Sequence, residues 1–300
     1  RDGTYTEQLR ITEIPGASAV NTVTFRSESG NNTAVILNHP SSSSSTDNWG
    51  VRLDSADYIR FHEITISRSG SENYARVVEF INGANYNEIT NCRIISTSVT
   101  SSSAAGIYSY TTLDDDNLIS GNEILNGYYG IYWYGESTSA LGSGNVIENN
   151  TITGFNYYGI YAYYQDAIII NANTIENGTN STTAYGIRLS YCDNEMEVTK
   201  NQIHVHASSS NYGMYFNYCD GTNSNRGFCA NNFIAQSVGT STTDGIDSYY
   251  TNYLDIVHNN INITGTYSFS RGFYLYFGGN VRFLNNIISN TGGGMCLYVS

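Results

Sequence analysis

The sequence predicts an all-β parallel β-helix, a solenoid of about nine to ten coils with three short strands per coil. Two alternating phrases and a composition rich in turn and strand formers predict it. The first phrase is apolar-x-x-Asn-x-Ile, recurring about every 28 residues with gaps of about 23–31. The second is a Gly followed by a strand that alternates apolar and outward-facing residues.

The first phrase reads Ile119…Asn122-Glu-Ile124, Ile147…Asn150-Thr-Ile152, Ile170…Asn173-Thr-Ile175 and Val198…Asn201-Gln-Ile203. It continues as Cys229…Asn232-Phe-Ile234, Ile256…Asn259-Asn-Ile261 and Phe283…Asn286-Ile-Ile288. Two earlier copies place His62 and Cys92 where Asn is expected, in Ile59…His62-Glu-Ile64 and Ile89…Cys92-Arg-Ile94. The second phrase begins at Gly50, Gly106, Gly130, Gly159, Gly186, Gly213, Gly245, Gly272 and Gly294, with a degenerate copy around Val77.

A short strand cannot bury its apolar face alone. Stacking like strands about 4.8 Å apart gives each a neighbour above and below. Ile then falls on Ile to fill the interior, and Asn on Asn, where side-chain amides hydrogen-bond up and down the stack. A leucine-rich repeat or a propeller is the rival architecture. The ladder residue here is Ile rather than Leu, the gaps vary widely, and no repeat carries a helical segment. The regular phrases span residues 50–300, preceded by less regular N-terminal coils in 1–49, and 1–300 reads as a single domain.

Composition narrows the partners. Apolar residues make up 40% and charged residues 13% of the 300, with 27 Tyr, 2 Pro and a net charge of −13. Lys200 is the lone lysine. An acidic chain lacks the basic footprint of a nucleic-acid binder. It also repels polyanionic glycans unless Arg or bound cations intervene, whereas neutral glycans meet no such barrier. No stretch has the apolar length of a transmembrane segment. The chain opens on Arg1-Asp2-Gly3 without Met or a signal peptide and stops inside an expected strand, so it reads as a fragment of a longer protein.

The repeat resembles the right-handed parallel β-helix repeats of the pectate-lyase-like superfamily. Gly3-Thr-Tyr-Thr-Glu-Gln-Leu-Arg-Ile-Thr, Ile14-Pro-Gly-Ala and Asn21-Thr-Val-Thr-Phe resemble the first coil of secreted β-helix proteins common in Bacteroidetes. The resemblance implies an extracellular or cell-surface location. It also implies that the Asn ladder marks the turn between the second and third strands, that the Gly phrase is the first strand, and that a glycan groove lies beside the first sheet. That fold hosts lyases, hydrolases, esterases and non-enzymes, so activity does not follow from it.

On this assignment the second and fourth residues after each Gly point outward. The second are Tyr108, Tyr132, Tyr161, Arg188, Tyr215, Asp247 and Tyr274; the fourth are Tyr110, Tyr134, Tyr163, Ser190, Asn217, Tyr249 and Tyr276. Two stripes of tyrosine follow. Aromatics are good strand formers and stack on their own kind, which accounts for part of the pattern. Contiguous aromatic area also marks a partner surface, and sugar C–H faces stack on such rings. The partner is then polysaccharide, or another copy or domain of the same protein. Arg188 and Asp247 interrupt the stripes as anchors for sugar hydroxyls or a uronate, or as solvated charges.

Asp166, Asp193 and Asp220 each stand seven residues past their Gly. Stacked carboxylates repel, and Ca²⁺ would relieve the repulsion; solvated loop acids are the alternative. Asp114-Asp115-Asp116 forms a second acidic loop. Cys192 and Cys219 share a repeat position and read as stacked thiols rather than a disulfide, and Cys92, Cys229 and Cys296 read as core. His204 and His206 alternate after a ladder position, by themselves too few for a metal site.

A polysaccharide lyase needs a base and a charge-stabilising group. Arg188, Tyr215 and Asp247 are the candidate catalytic set. The Asn-Thr-Asp, Asp-Asp, Gly-His-Gly and Arg-Ile-Lys motifs of β-helix galacturonan hydrolases, and the esterase pattern of paired Asp with Gln and Arg, are unmatched. The leading expectation is a surface module that binds polysaccharide or serves as an adhesive stalk. A lyase or glycoside hydrolase on the same face comes second, and a subunit of a fibre third.

Overall fold

The computed structural model describes residues 1–110 and 113–300. The chain winds as a right-handed parallel β-solenoid of about 11 turns, one or two more than the phrases predict. The extra coils come from the N-terminal segment. There the strands Gly3–Thr6, Leu9–Thr12 and Val23–Arg26 join the three sheets without a Gly or Asn phrase. The sheets contain 12, 10 and 11 strands and are called first, second and third in their order along each coil. Among the described residues the one helical element is the 3-10 turn Ser45–Asp47.

The glycine phrase forms the first sheet, and its registry is residue on like residue. Ile131 pairs with Ile160, Ile160 with Ile187 and Ile187 with Met214. In the third sheet Ile94, Ile124, Ile152, Ile175, Ile203, Ile234 and Ile261 form one unbroken column, closed from water throughout. The turn between the second and third sheets belongs to the Asn ladder. The residue before each Asn is left-handed, as at Asn149 (φ 55°), Ala172 (54°) and Lys200 (57°), and this sharp corner swings the Asn side chain inward.

Each ladder Asn from Asn150 to Asn259 is fully satisfied. Asn150 donates its backbone N–H and its Nδ2 to Asn173 Oδ1, both at 3.0 Å, and a second Nδ2 proton to the Ile119 carbonyl at 2.9 Å. Asn173 does the same toward Asn201 Oδ1 and the Ile147 carbonyl. An amide offers two donors and two acceptor sites, and all four are used. A second buried ladder of Asn87, Asn117 and Asn145, at the start of the second sheet, was not expected.

The two phrases occur together for a steric reason. A Cβ added at Gly159 would lie 2.5 Å from Ile175 Cγ2 and 2.5 Å from the Gly186 carbonyl oxygen. The same clash recurs at Gly130 with Ile152 and at Gly213 with Ile234. Val77 holds the glycine place in the coil between Gly50 and Gly106 and is itself fully buried.

Two phrase assignments shift by two residues. Phe61 pairs with Ile89, and Thr65 and Ile66 lie beneath Arg93 and Ile94. Ile64, not His62, therefore fills the ladder position, and His62 instead faces Thr90 Oγ1 at 2.8 Å. An apolar side chain serves there because Cys92, in the coil above, presents no amide to continue the ladder. At the other end Met295 pairs with Arg271 and Leu297 with Phe273, so Cys296 rather than Gly294 takes the glycine place. Cys296 is exposed, not core.

Asn173→Ala removes the acceptor of two Asn150 donors and the donor to Ile147. At about 1–3 kcal/mol per buried group left unpaired, the variant should lose roughly 3–6 kcal/mol in urea unfolding. A loss below about 1 kcal/mol would contradict the ladder's role.

Candidate functional site

The outward residues of the first sheet form columns along the solenoid, as the phrases predict for Tyr108, Tyr132, Tyr161, Arg188, Tyr215, Asp247 and Tyr274. The next column holds Tyr134, Tyr163, Ser190, Asn217, Tyr249 and Tyr276, and the exposed Tyr110 continues it. Several ring pairs in these columns lie face to face: Tyr134 and Tyr163 have centroids 4.7 Å apart and planes 2° apart, and Tyr249 and Tyr276 4.6 Å and 8°, whereas Tyr132 and Tyr161 meet edge-on at 74°. Stacked rings cover one another's faces. Tyr108 and Tyr132 are in fact buried, and the array presents ring edges and hydroxyls rather than the open flat faces expected from sequence.

Two further aromatic columns escaped the alternation rule. Tyr129, Tyr158, Tyr185 and Tyr212 immediately precede glycines yet lie on the outer face, with Tyr129 packed 4.7 Å from Tyr132 and Tyr158 4.9 Å from Tyr161. Glycine and the residue after it both face the core, so strict alternation breaks at the glycine of each coil, without a change of register, and the preceding residue turns outward. The recurring Tyr-Gly dipeptide was the available signal.

The other column is Tyr164, Tyr191, Tyr218, Tyr250 and Phe277, each left-handed with φ between 48° and 54°. Tyr191, Tyr218 and Tyr250 stack at 5.1 and 4.9 Å with nearly parallel planes. A left-handed non-glycine residue costs about 1–2 kcal/mol, and a ring pair returns about 0.5–1.5 kcal/mol. The stack thus offsets much of the strain of this corner.

Arg188 sits inside the array. Its guanidinium carbon lies 4.9 Å from the Tyr161 ring centroid, 5.2 Å from Tyr215, 5.4 Å from Tyr185 and 5.8 Å from Tyr158. Nη1 donates to the Tyr158 hydroxyl at 3.0 Å, while Nε is buried without a partner. Arg188 is therefore an aromatic-caged cation, not a solvated charge. Burial pushes the hydroxyl pKa values of Tyr129, Tyr132, Tyr158, Tyr185 and Tyr215 up, so these phenols stay neutral.

Asp247 is 4% exposed, in contrast to the outward charge expected from sequence. Asp244, on the same strand and fully buried, is gripped by Arg271 through Nε at 2.7 Å and Nη2 at 2.5 Å. Burial first, and the neighbouring Asp244 second, push the Asp247 carboxyl up to about 8. Asp247 hydrogen-bonds Asp244 and leaves its own Oδ1 unpartnered. The sequence-chosen set of Arg188, Tyr215 and Asp247 does come together, since Tyr215 pairs with both of the others in register. Its acid is closed from solvent.

Asp166 and Asp193 pair in register as expected. Their carboxylates are engaged by the chain itself. Asp193 Oδ1 accepts the Asp220 backbone N–H at 2.9 Å, Asp220 Oδ1 accepts the Asn252 N–H at 2.9 Å, and Asp166 accepts from Asn194 Nδ2. Burial pushes Asp193 up to about 6. Cys192 and Cys219 are buried free thiols, as read from sequence.

Fold and site together define a solenoid with one aromatic-paved sheet. The model for the right-handed β-helix region matches residues 49–226 and 142–300, and the chain belongs to that family. No curated protein matches it by sequence. Among solved structures it is similar to PfbA, a surface adhesin of Streptococcus pneumoniae, with TM-score 0.53 and 11% identity over 99% of this chain and 79% of that one. It is also similar to a GH136 lacto-N-biosidase from Eubacterium ramulus, with TM-score 0.51 and 11% identity over 93% of this chain and 60% of that one. A DFA-IIIase from Arthrobacter chlorophenolicus A6 gives TM-score 0.51 and 10% identity over 97% and 74%. This chain spans less than two thirds of the lacto-N-biosidase. At such identities the likeness is one of fold.

A carboxyl held protonated in the fold contributes stability that is complete below the unfolded pKa near 4 and is lost as pH rises toward 8. Asp247→Asn should therefore leave stability near pH 4 almost unchanged and raise it at pH 8 by on the order of 2–4 kcal/mol. Equal effects at both pH values would contradict the protonated assignment.

Proposed function

We propose that the chain is an extracellular, non-catalytic module that binds a neutral polysaccharide along its tyrosine-paved first sheet. One observation carries the reading: a contiguous array of uncharged phenols, in several parallel columns, arranged around a single caged Arg188. Its repeat matches the spacing of the coils, so a linear polymer lying along the axis meets tyrosine hydroxyls and ring edges coil after coil, with Arg188, Ser190, Asn217 and Asp247 interrupting single columns. Neutral phenols both donate to and accept from sugar hydroxyls. The acidic chain as a whole repels uronate polymers.

The burial of Asp244 and Asp247 supports a binding rather than a hydrolytic role. A general acid has to come within hydrogen-bond reach of the leaving oxygen, and this one is covered. The adhesin and the two carbohydrate-named enzymes among the fold neighbours are compatible with a glycan partner. Bound Ca²⁺ at Asp166, Asp193 and Asp220 would be an accessory to such a module, not part of its aromatic face.

The test is a binding panel of neutral and uronate polysaccharides with parallel measurement of product release. A neutral glycan should bind without turnover. Tyr134→Ala with Tyr163→Ala should weaken it about tenfold or more, with the fold checked by circular dichroism. Unaltered affinity in that variant, or turnover lost on Asp247→Asn, would overturn the reading.

A further inference from the structure

The third sheet carries a side-chain cluster that neither phrase explains. Glu176, on strand Thr174–Asn177, lies directly beneath His204, on strand Gln202–Val205. His206 projects from the same face just past the end of that strand. His204 Nδ1 is 3.1 Å from Glu176 Oε1, and His206 Nδ1 is 4.0 Å from the same oxygen. One ligand atom from each of the three residues lies within 4.8 Å of the other two, which among the described residues is the one such grouping of His, Cys, Asp and Glu.

A second, independent observation points to a missing partner. His206 Nδ1 is shielded from solvent and makes no hydrogen bond. A buried polar nitrogen with nothing to bond costs free energy unless something fills its lone-pair direction.

We propose that Glu176, His204 and His206 form a three-ligand site for a borderline divalent transition metal of the zinc type. Two imidazoles and one carboxylate suit such an ion, whereas Ca²⁺ and Mg²⁺ prefer all-oxygen sets. At metal–ligand distances of about 2.0–2.1 Å, tetrahedral ligands stand about 3.3–3.4 Å apart. Glu176 and His204, at 3.1 Å, are already close to that spacing, while His206 Nδ1 stands 4.0 Å from Glu176 Oε1 and has to close on both partners from within 4.8 Å. Glu176 and His204 are both about half exposed, so their rotamers are free to adjust.

Outer contacts orient the ligands. His204 Nε2 faces Ser237 Oγ at 3.3 Å, which directs Nδ1 toward the metal position. Asn177 Oδ1 accepts the His206 backbone N–H at 2.7 Å and pins the second imidazole. Three protein ligands leave a coordination position open. Glu176 and His206 also line a recess of about 410 Å³ whose other walls include Asn126, Thr153, Asn156 and Thr179. A water or a small oxygen-bearing ligand fits that position. The site lies on a different sheet from the tyrosine array and stands independently of the glycan reading.

The test uses the full chain without a histidine tag, stripped of metal with a chelator. Calorimetric titration with Zn²⁺ should give one site per chain, and Co²⁺ should develop visible d–d absorption. His206→Ala and Glu176→Gln should each weaken Zn²⁺ by about tenfold or more, while His258→Ala, far from the cluster in sequence, leaves affinity unchanged. Unfolding midpoints in chelator verify that the variants fold. No Zn²⁺ binding at millimolar concentration, or native affinity in the His204→Ala/His206→Ala double variant, would overturn the proposal.

Discussion

Everything in this molecule depends on parallel, in-register stacking of coils, held by buried amides that bond both to the next ladder Asn and to a backbone carbonyl of the preceding coil. At the turn between the second and third sheets the Oδ1 of each ladder Asn from Asn150 to Asn286 accepts the backbone and side-chain donors of the Asn in the preceding coil. A slip of one residue would bury unpaired amides and turn the Ile column outward. The glycine column enforces the same registry from the opposite wall, because its missing Cβ makes room for the ladder Ile. Register is thus fixed twice, once by hydrogen bonds and once by shape.

The outer face inherits that registry without having to create it. Once coils repeat about every 4.8 Å, any side chain conserved in repeat position becomes a column, and tyrosines become stacks. The stacks alter what each residue is. Tyr108 and Tyr132 become core-like, Arg188 becomes a caged cation, and Asp247 becomes a neutral acid beneath its neighbours. The same registry brings Glu176 beside His204, although 28 residues separate them along the chain. Binding chemistry in a solenoid is therefore built across coils rather than within a loop.

Much of the fold was legible because the repeat writes its vertical neighbours into the sequence. The Ile column and the stacking of Asn on Asn followed from spacing, while the place of the Asn corner and of the glycine strand in each coil came from the resemblance to β-helix repeats. The failures share one origin, counting from a residue type instead of from the neighbouring coil. His62 resembles a ladder substitute, yet Ile64 holds the place; Gly294 resembles a phrase start, yet Cys296 does. The outward Tyr129, Tyr158, Tyr185 and Tyr212 stayed hidden because alternation breaks at glycine, where two successive residues face the core. The openness of the tyrosine faces was overestimated because sequence shows which rings share a column but not that they cover one another. His204 and His206 lacked meaning without Glu176 from the coil before.

The central claim is that the ladder amides are the most protected hydrogen bonds in the protein, and native-state hydrogen exchange addresses it most directly. The backbone N–H groups of Asn122, Asn150, Asn173, Asn201 and Asn232 should exchange only through cooperative opening of several coils, among the slowest of all amides. Exchange of these five at rates typical of the exposed loops that join the third sheet to the next coil would contradict the account.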